Sequence, residues 1–507
     1  MSKYCHGEFN KKSICLLNFQ PLALVLVREK NMLAASDEKL QENRRKVSWI
    51  DLLFGSKARI TWTISIGCAI HAFGWFLVST IMPSVILQLG KPQLLSWGTT
   101  AFLALSIPGS ASAGYLKNRF GIRPVLMCAA LTVIAATSLG LVAPNMTVFL
   151  LARAVQGLGD GMVLAFGYII VSEALEPHEM NPAFGILAVV WAVATLIGPG
   201  LGGLLTDWFS WRMAFLPMLV LSVLLLVLVA SERRIAKRNT NRATRLPFGR
   251  LATLALAIGA VSIAGAGETG PFAIVLIAVA LALVLYCFHL DHRSTEHLFP
   301  QHLLSLRRVS ALGIWILGFM FAADSGPPIY MTYFVQVGHG TSVFFAGQFA
   351  AITALAWSIS AIAVSHRGGN FGRAMLLTGP GCLLVGFLAL TFWEHLPLPL
   401  SGIALMVIGA GFGLSYAFFT EQIIAHAPEN ERDVTAGAIP TLESICAAFG
   451  AATAGLLGNL AGFGGFGATD IPPAVPRTVF GASALGSAFI LYCAWRFWQQ
   501  VRARPRS

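Results

Sequence analysis

Apolar residues in this chain neither alternate nor form one-sided stripes; they come in long, nearly unbroken runs separated by short polar breaks. The runs lie at about 61–89, 95–115, 123–143, 146–172, 181–206, 213–231, 248–267, 271–290, 309–335, 343–366, 373–393, 399–424, 434–461 and 476–498. A helix of roughly 20 apolar residues crosses the ~30 Å hydrocarbon core of a bilayer. Inside that core the backbone must satisfy its own polar groups, which an open strand cannot do. The pattern therefore predicts an all-α membrane protein of about fourteen transmembrane helices. An even count puts both chain ends on one side.

Composition agrees: 56% of the 507 residues are hydrophobic and only 11% charged, whereas soluble domains carry about 25% charged residues. The net charge of +12 raises nucleic acid as a partner. No basic segment interleaves with aromatics or follows a nucleic-acid-binding pattern, so that class is set aside. The positions of the charges carry more information than their sum. With both ends placed in the cytosol, 31 of the 35 Lys and Arg fall in cytosolic segments. Three fall outside, namely Lys91, Arg212 and Arg477, while Arg153 lies within a span. That asymmetry is the positive-inside signature, and a missing or invented span would abolish it. The expected location is the plasma membrane, or the inner membrane of a Gram-negative cell.

Residues 1–57 read as a basic cytosolic tail. Its apolar stretch Ile14–Val27 follows Lys11 and Lys12 like a signal-peptide core, but no small-residue cleavage site follows it. The tail is expected to stay attached, with Met32 as an alternative start and an interfacial or targeting role as the other reading. Eight cysteines include no CxxC pair, which leaves disulfide frameworks and thiolate metal sites without support. His289, Asp291, His292, Glu296 and His297 imitate a metal cluster, but their irregular spacing reads as a solvated loop. No metal or cofactor is expected. P-loop, GxSxG and HExxH patterns are absent, so ATP-driven transport and hydrolysis lack a basis and no enzyme is expected.

Three motifs stand in order along the first six spans. Between spans two and three the chain reads Gly114-Tyr-Leu-Lys-Asn118-Arg119-Phe-Gly121-Ile-Arg123-Pro124. Span four holds Leu151-Ala-Arg153-Ala-Val-Gln156-Gly157-Leu-Gly159-Asp160-Gly161. Span five holds Gly198-Pro199-Gly200-Leu-Gly202-Gly203, followed by Asp207-Trp-Phe-Ser-Trp211-Arg212. Together these resemble the signatures of the major facilitator superfamily, and the two helices at 248–290 resemble the insertion of its fourteen-helix drug:proton antiporter branch. The resemblance covers about residues 60–498. It implies two pseudo-symmetric six-helix bundles with two added helices. The corresponding partition is a tail 1–57, an N-terminal bundle 58–232, a loop with inserted helices 233–307, a C-terminal bundle 308–498 and a tail 499–507.

Departures from the family pattern are specific. Asn118 stands where the family has a loop carboxylate, and can still accept a hydrogen bond at a helix N-terminus. Gly74 stands nine residues before Pro83, where the branch has an acid. The loop Glu173–Glu179 lacks the usual base. The second half echoes the first only weakly, through Gln336, Ala346-Gly347 and Gly372-Arg373, with Ser365 and Gly369 at the expected Gly and acidic positions.

Ionisable residues inside spans are default site candidates, because lipid makes them costly. Arg153, Gln156 and Asp160 share one helix face and read as a proton-relay or gating face, or as a buried structural ion pair. Asp324, three residues before Pro327-Pro328, and Glu443, between Pro440 and Gly450, are further proton-carrying candidates. Glu421 is a weaker one, and His71 reads as a cavity residue or a packed histidine. Trp75, Phe76, Phe334 and Phe345 either line a cavity or pack. The resemblance implies a proton-coupled exporter of drugs or amphiphilic metabolites, with a small-molecule substrate, protons and the bilayer as partners, working by rocking bundles. A symporter or uniporter for a specific solute such as an organic acid or siderophore is the alternative, and a non-transporting receptor or enzyme the third class.

Overall fold

A computed structural model describes residues 49–232, 248–266, 271–294, 297, 299–365, 367, 369–464 and 471–503. The stretch Ile14–Val27, the alternative start Met32, the basic loop after Glu232 and Glu296 lie outside the described residues.

Each apolar run is one helix, apart from one broken span. The first bundle comprises α1 (Ala58–Leu89), α2 (Trp97–Phe120), α3 (Ile122–Leu141), α4 (Met146–Ala174), α5 (Pro177–Trp208) and α6 (Leu216–Ser231). Then come α7 (Phe248–Ala266) and α8 (Pro271–His292). The second bundle holds α9 (Val309–Ser325) continued by α10 (Pro327–Tyr333), α11 (Val343–Val364), α12 (Asn370–Thr391), α13 (Leu398–Ala425), α14 (Arg432–Leu460) and α15 (Ala474–Ala503). Among the described residues there is no strand, and thirteen helices are long and apolar enough to cross a bilayer. The other, α2, has 24 residues, about 36 Å of helix, but carries Ser106, Ser110, Ser112, Lys117 and Arg119. It packs against α4, α7 and α14, so much of its surface meets protein.

Local chemistry sets the helix ends. Asn145 Oδ1 accepts from Val148 N at 3.0 Å to cap α4, and Glu176 with Glu179 form a reciprocal capping box at α5. Gly121, at φ 89°, turns the chain from α2 into α3, a backbone state open to glycine at little cost.

The two bundles repeat the same packing. Within the first, α4 lies on α2, α3 and α1, while α1 also meets α5 and α6, and α3 meets α6. Within the second, α13 lies on α11, α12 and α9, while α9 also meets α14 and α15, and α12 meets α15. Glycines pin the equivalence. A methyl group on Gly157 or Gly161 would lie 2.0 or 2.1 Å from the carbonyls of Phe102 and Ser106; one on Gly409 or Gly413 would lie 1.9 or 2.2 Å from Thr353 O and Trp357 O. The echo once expected at Gly372-Arg373 sits three residues away: Gly369, at φ 62°, is the turn glycine matching Gly121, and Gly372 lies inside α12 against Phe418.

Between the bundles, α5 packs on α11 and α2 on α14, and these contacts gather at the end away from Lys57, Lys117 and Arg123. There Gly203 would put a Cβ 2.5 Å from Phe344 Cα, and Gly455 would put one 2.0 Å from Ser96 Oγ. Gln336 Nε2 donates to Thr80 O at 2.7 Å. Asp207, at the end of α5, accepts from the backbone N–H groups of Val343 and Phe344 at 3.0 Å each, a carboxylate seated on the positive end of α11. The bundles are thus sealed at the end away from the basic residues.

Candidate functional site

The basic end shows what became of the first motif. Lys117, in the last turn of α2, pairs with Glu173 at the end of α4, and Lys57 pairs with Glu179, so the acidic α4–α5 connection supplies the counter-charges. Arg123 donates from Nε to Val229 O at 3.2 Å and from Nη2 to Ala230 O, binding α3 to the end of α6. Arg119 reaches Tyr115 Oη at 3.0 Å. Asn118 lies in the last turn of α2 rather than ahead of a helix; Gly121 holds that place for α3. Gly114 has open space where a side chain would project.

Two turns into α4, Arg153 is buried at 2% exposure. Its Nε donates to Gly98 O at 3.2 Å, Nη2 to Gly74 O at 3.0 Å and Nη1 to Gln156 Oε1, and its guanidinium lies 4.5 Å from the centroid of the Phe102 ring. Gln156 passes the network on through Nε2 to Thr137 Oγ1 at 2.9 Å. A guanidinium with several donors committed to carbonyls is a tolerable buried cation. The direct Arg153–Asp160 ion pair entertained from the sequence is not formed. Asp160, fully buried, instead meets His71 Nδ1 of α1 through Oδ2, while Oδ1 has no hydrogen-bond partner. His71 packs among Trp75, Phe102 and Trp191, with ring centroids 6.4, 6.2 and 5.7 Å away.

In the second bundle Asp324 is next to the last residue of α9, at the break itself rather than mid-helix. The carbonyl that Pro327 leaves without an i+4 donor, Ala323 O, is filled by Ser483 Oγ at 2.8 Å. Glu443 of α14 is 7% exposed; its Oε2 accepts from Tyr416 Oη at 3.4 Å and its Oε1 has no hydrogen-bond partner. Tyr416 belongs to an aromatic group in which Trp357 stacks on Phe412 at 4.8 Å and lies 5.9 Å from Tyr416 and Phe321. His71, Asp160, Asp324 and Glu443 lie about 17 to 23 Å along their helices from the basic end, near mid-depth. Asp160 and Glu443 sit in different bundles and share no bond. In the register set by the paired glycines, Asp160 falls opposite Phe412 and Trp191 opposite Glu443.

The third motif forms contacts on two sides of α5. Gly202 faces Leu77 of α1, while Gly200 and Gly203 face α11, where Gly347 meets the carbonyl of Pro199. Gly198 faces Phe73 at 3.9 Å, an ordinary contact. Trp211 and Arg212 both donate to Gln88 Oε1, and Arg212 Nη2 reaches Ala143 O at 2.9 Å, closing that end of the first bundle.

Other sequence readings change. His289, Asp291 and His292 are the last turn of α8, not a loop. Asp291 is buried, pairs with Arg250 of α7 and accepts from Phe299 N at 3.2 Å. Among the described residues no cluster could hold a metal ion. Phe334 is core and Phe345 exposed, and Glu421 is exposed. The paired glycines were a repeat signal that sequence reading missed, although Gly157-x-Gly159-x-Gly161 and Gly409-x-Gly411-x-Gly413 share one spacing.

Twofold-related helix bundles with charges buried near mid-depth define a polytopic membrane carrier of small molecules. The chain belongs to the Major Facilitator Superfamily, whose sequence profile matches residues 64–451. It is 26% identical over 412 residues to a "Probable multidrug-efflux transporter" of Mycobacterium tuberculosis, covering 78% of this chain and 86% of that one. It is 24% identical over 391 residues to the multidrug transporter protein MdtP of Bacillus subtilis, covering 76% and 72%. The solved structure of a D-xylose–proton symporter shares the fold, with a TM-score of 0.62 at 15% identity over 87% of this chain and 97% of that one.

Proposed function

We propose that this transporter is an exporter of drugs or amphiphilic metabolites, driven by protons entering the cell, with both chain ends in the cytosol of a plasma or inner membrane. The observation that carries the reading is Glu443: a buried carboxylate with one unpartnered oxygen, beside the Trp357–Phe412–Tyr416 aromatic group. Apolar cargo and a proton can compete at such a place, since a bound proton removes the charge and leaves a neutral wall. Its counterpart Asp324 stands at the α9 break and adds a second carboxylate to the same bundle. The relatives named for multidrug efflux support export over uptake.

A proton crossing 100 mV supplies about 2.3 kcal/mol, enough for a gradient of nearly fiftyfold for one neutral solute per proton. The sealed end would be the outer one, since the basic end matches the cytosolic face. The partition into tail 1–57, bundle 58–232, insertion 233–307, bundle 308–498 and tail 499–507 follows the same scheme.

The test is growth with a panel of amphiphilic inhibitors in cells with the intact gene, without it, and with Glu443→Gln. Everted vesicles from the same cells would report proton release on adding each inhibitor. Tolerance and proton release should both require Glu443. Full tolerance in the Glu443→Gln strain would overturn the coupling, and a carboxyl-terminal reporter active outside the cell would overturn the topology.

A further inference from the structure

We infer that His71 and Asp160 form a second proton-carrying site, in the first bundle. The inference rests on the proton-coupled reading above and adds a carrier of different chemistry.

Gly74 offers no side chain, and its carbonyl is occupied by Arg153 Nη2 at 3.0 Å. One turn earlier on α1, His71 binds Asp160 across to α4. Asp160 is the charge that needs an explanation. It is fully buried, and of its two oxygens only Oδ2 has a partner. Arg153 stands two turns away on the same helix, and its hydrogen bonds go to Gly98, Gly74 and Gln156 rather than to Asp160. The imidazole is thus the group that meets the carboxylate directly.

The groups around the pair come from every helix packed on it: Asp160 of α4, Phe102 of α2, Trp191 of α5 and Trp75 of α1 meet the His71 ring, while Arg153 of α4 and Cys68 of α1 lie within reach of the Asp160 charge. Cys68 contacts Leu187 O at 3.9 Å. The surroundings are aromatic and thioether, with Met218 of α6 against Gln156, so a lone ion is costly and a pair is favoured. The pair has two compact states. With neutral imidazole, Nδ1–H donates to the Asp160 carboxylate. A proton arriving from the outer side binds Nε2, giving an imidazolium still held by the same carboxylate. When the site faces the cytosol, Nε2 returns that proton to water and the first state is restored. No bond within the pair breaks. Histidine is the side chain whose ordinary charge change falls between about pH 5 and 8, the range in which a proton gradient works.

The experiment uses the purified full-length chain and needs no substrate. His71→Asn keeps an amide donor near Oδ2 but cannot take up a proton, and Asp160→Asn serves if that variant folds poorly. Proton uptake is counted between about pH 8 and 5 for the unaltered chain, His71→Asn, Glu443→Gln and the double variant. Trp75 and Trp191 emission follows the same titration, because an imidazolium beside an indole quenches it. Gln348→Cys, with maleimide labelling read at that position by mass spectrometry because native cysteines such as the exposed Cys128 also react, reports opening of the sealed end.

Each single variant should take up about one proton fewer than the unaltered chain and the double variant about two. The emission step should vanish with His71→Asn and persist with Glu443→Gln. Acid should raise labelling at position 348 in the unaltered chain, with at least half of that rise lost in His71→Asn. Unchanged uptake and an unchanged emission step in His71→Asn overturn the inference. So does a loss of uptake with labelling untouched, which marks a titrating but structural pair. Unchanged uptake in Glu443→Gln overturns the Glu443 reading and leaves this one standing.

Discussion

Residues separate here into those that hold charge and those that hold shape. Arg153 is of the second kind as well as the first: truncating it would leave Gln156 Oε1 without its donor in a buried place, at about 1–3 kcal/mol, and open a cavity beside Phe102. Arg153→Ala is expected to fail in folding, seen as loss of the monodisperse peak in detergent, whereas Glu443→Gln should purify like the unaltered chain. Asp207 acts at the surface. Asp207→Ala removes two acceptors from the start of α11, a loss comparable to a helix cap, about 1 kcal/mol, or roughly a fivefold shift toward the state open at that end. Labelling of a cysteine at position 348 should rise accordingly, and an unchanged rate would count against a holding role for Asp207. Individual candidates were readable in the sequence because a lone Arg, Asp or Glu in an apolar run stands out. Their partners were not. His71 and Asp160 are 89 positions apart, and nothing local says that α1 and α4 bring them face to face.

Helices contribute through where their backbones approach. The glycines of α5 divide into two classes that composition alone cannot distinguish. Gly198→Ala adds a methyl at ordinary contact distance from Phe73 and should leave transport within twofold. Gly203→Ala drives a methyl into the backbone of α11 and should prevent closure of that end, giving a well-folded protein with lost transport and high labelling at position 348. Equal behaviour of the two variants would refute the division. Gly409→Ala meets a carbonyl inside one bundle instead, so it should cost folding yield rather than gating. Helix positions were legible throughout, because run length and backbone satisfaction leave little choice, and the Pro327-Pro328 pair marked the α9–α10 break. The start of α12 was misplaced by three residues, since a turn glycine and a packing glycine look alike until φ is known.

At the scale of the whole molecule, equivalent packing survives in halves whose chemistry has diverged. Asp160 opposite Phe412 and Trp191 opposite Glu443 put a histidine–carboxylate pair in one bundle and carboxylates in the other. The seam between them is sealed by contacts that a transport cycle must undo. Ser96→Cys and Gly455→Cys, whose Cβ atoms would lie 2.9 Å apart and reach the disulfide range of about 3.5–4.5 Å with a slight widening of the seam, should cross-link under oxidant, stop transport, and recover with reductant. Transport that continues in the oxidised protein would show that this seam stays shut throughout. The inserted helix α7 is held from both bundles. Trp97 Nε1 of α2 donates to its Ser262 O at 3.2 Å, while Asn459 Nδ2 of α14 donates to its Gly265 O at 2.6 Å. A passenger strapped to both sides of a widening gap must release one strap, and whichever bond survives names the half with which the inserted pair travels.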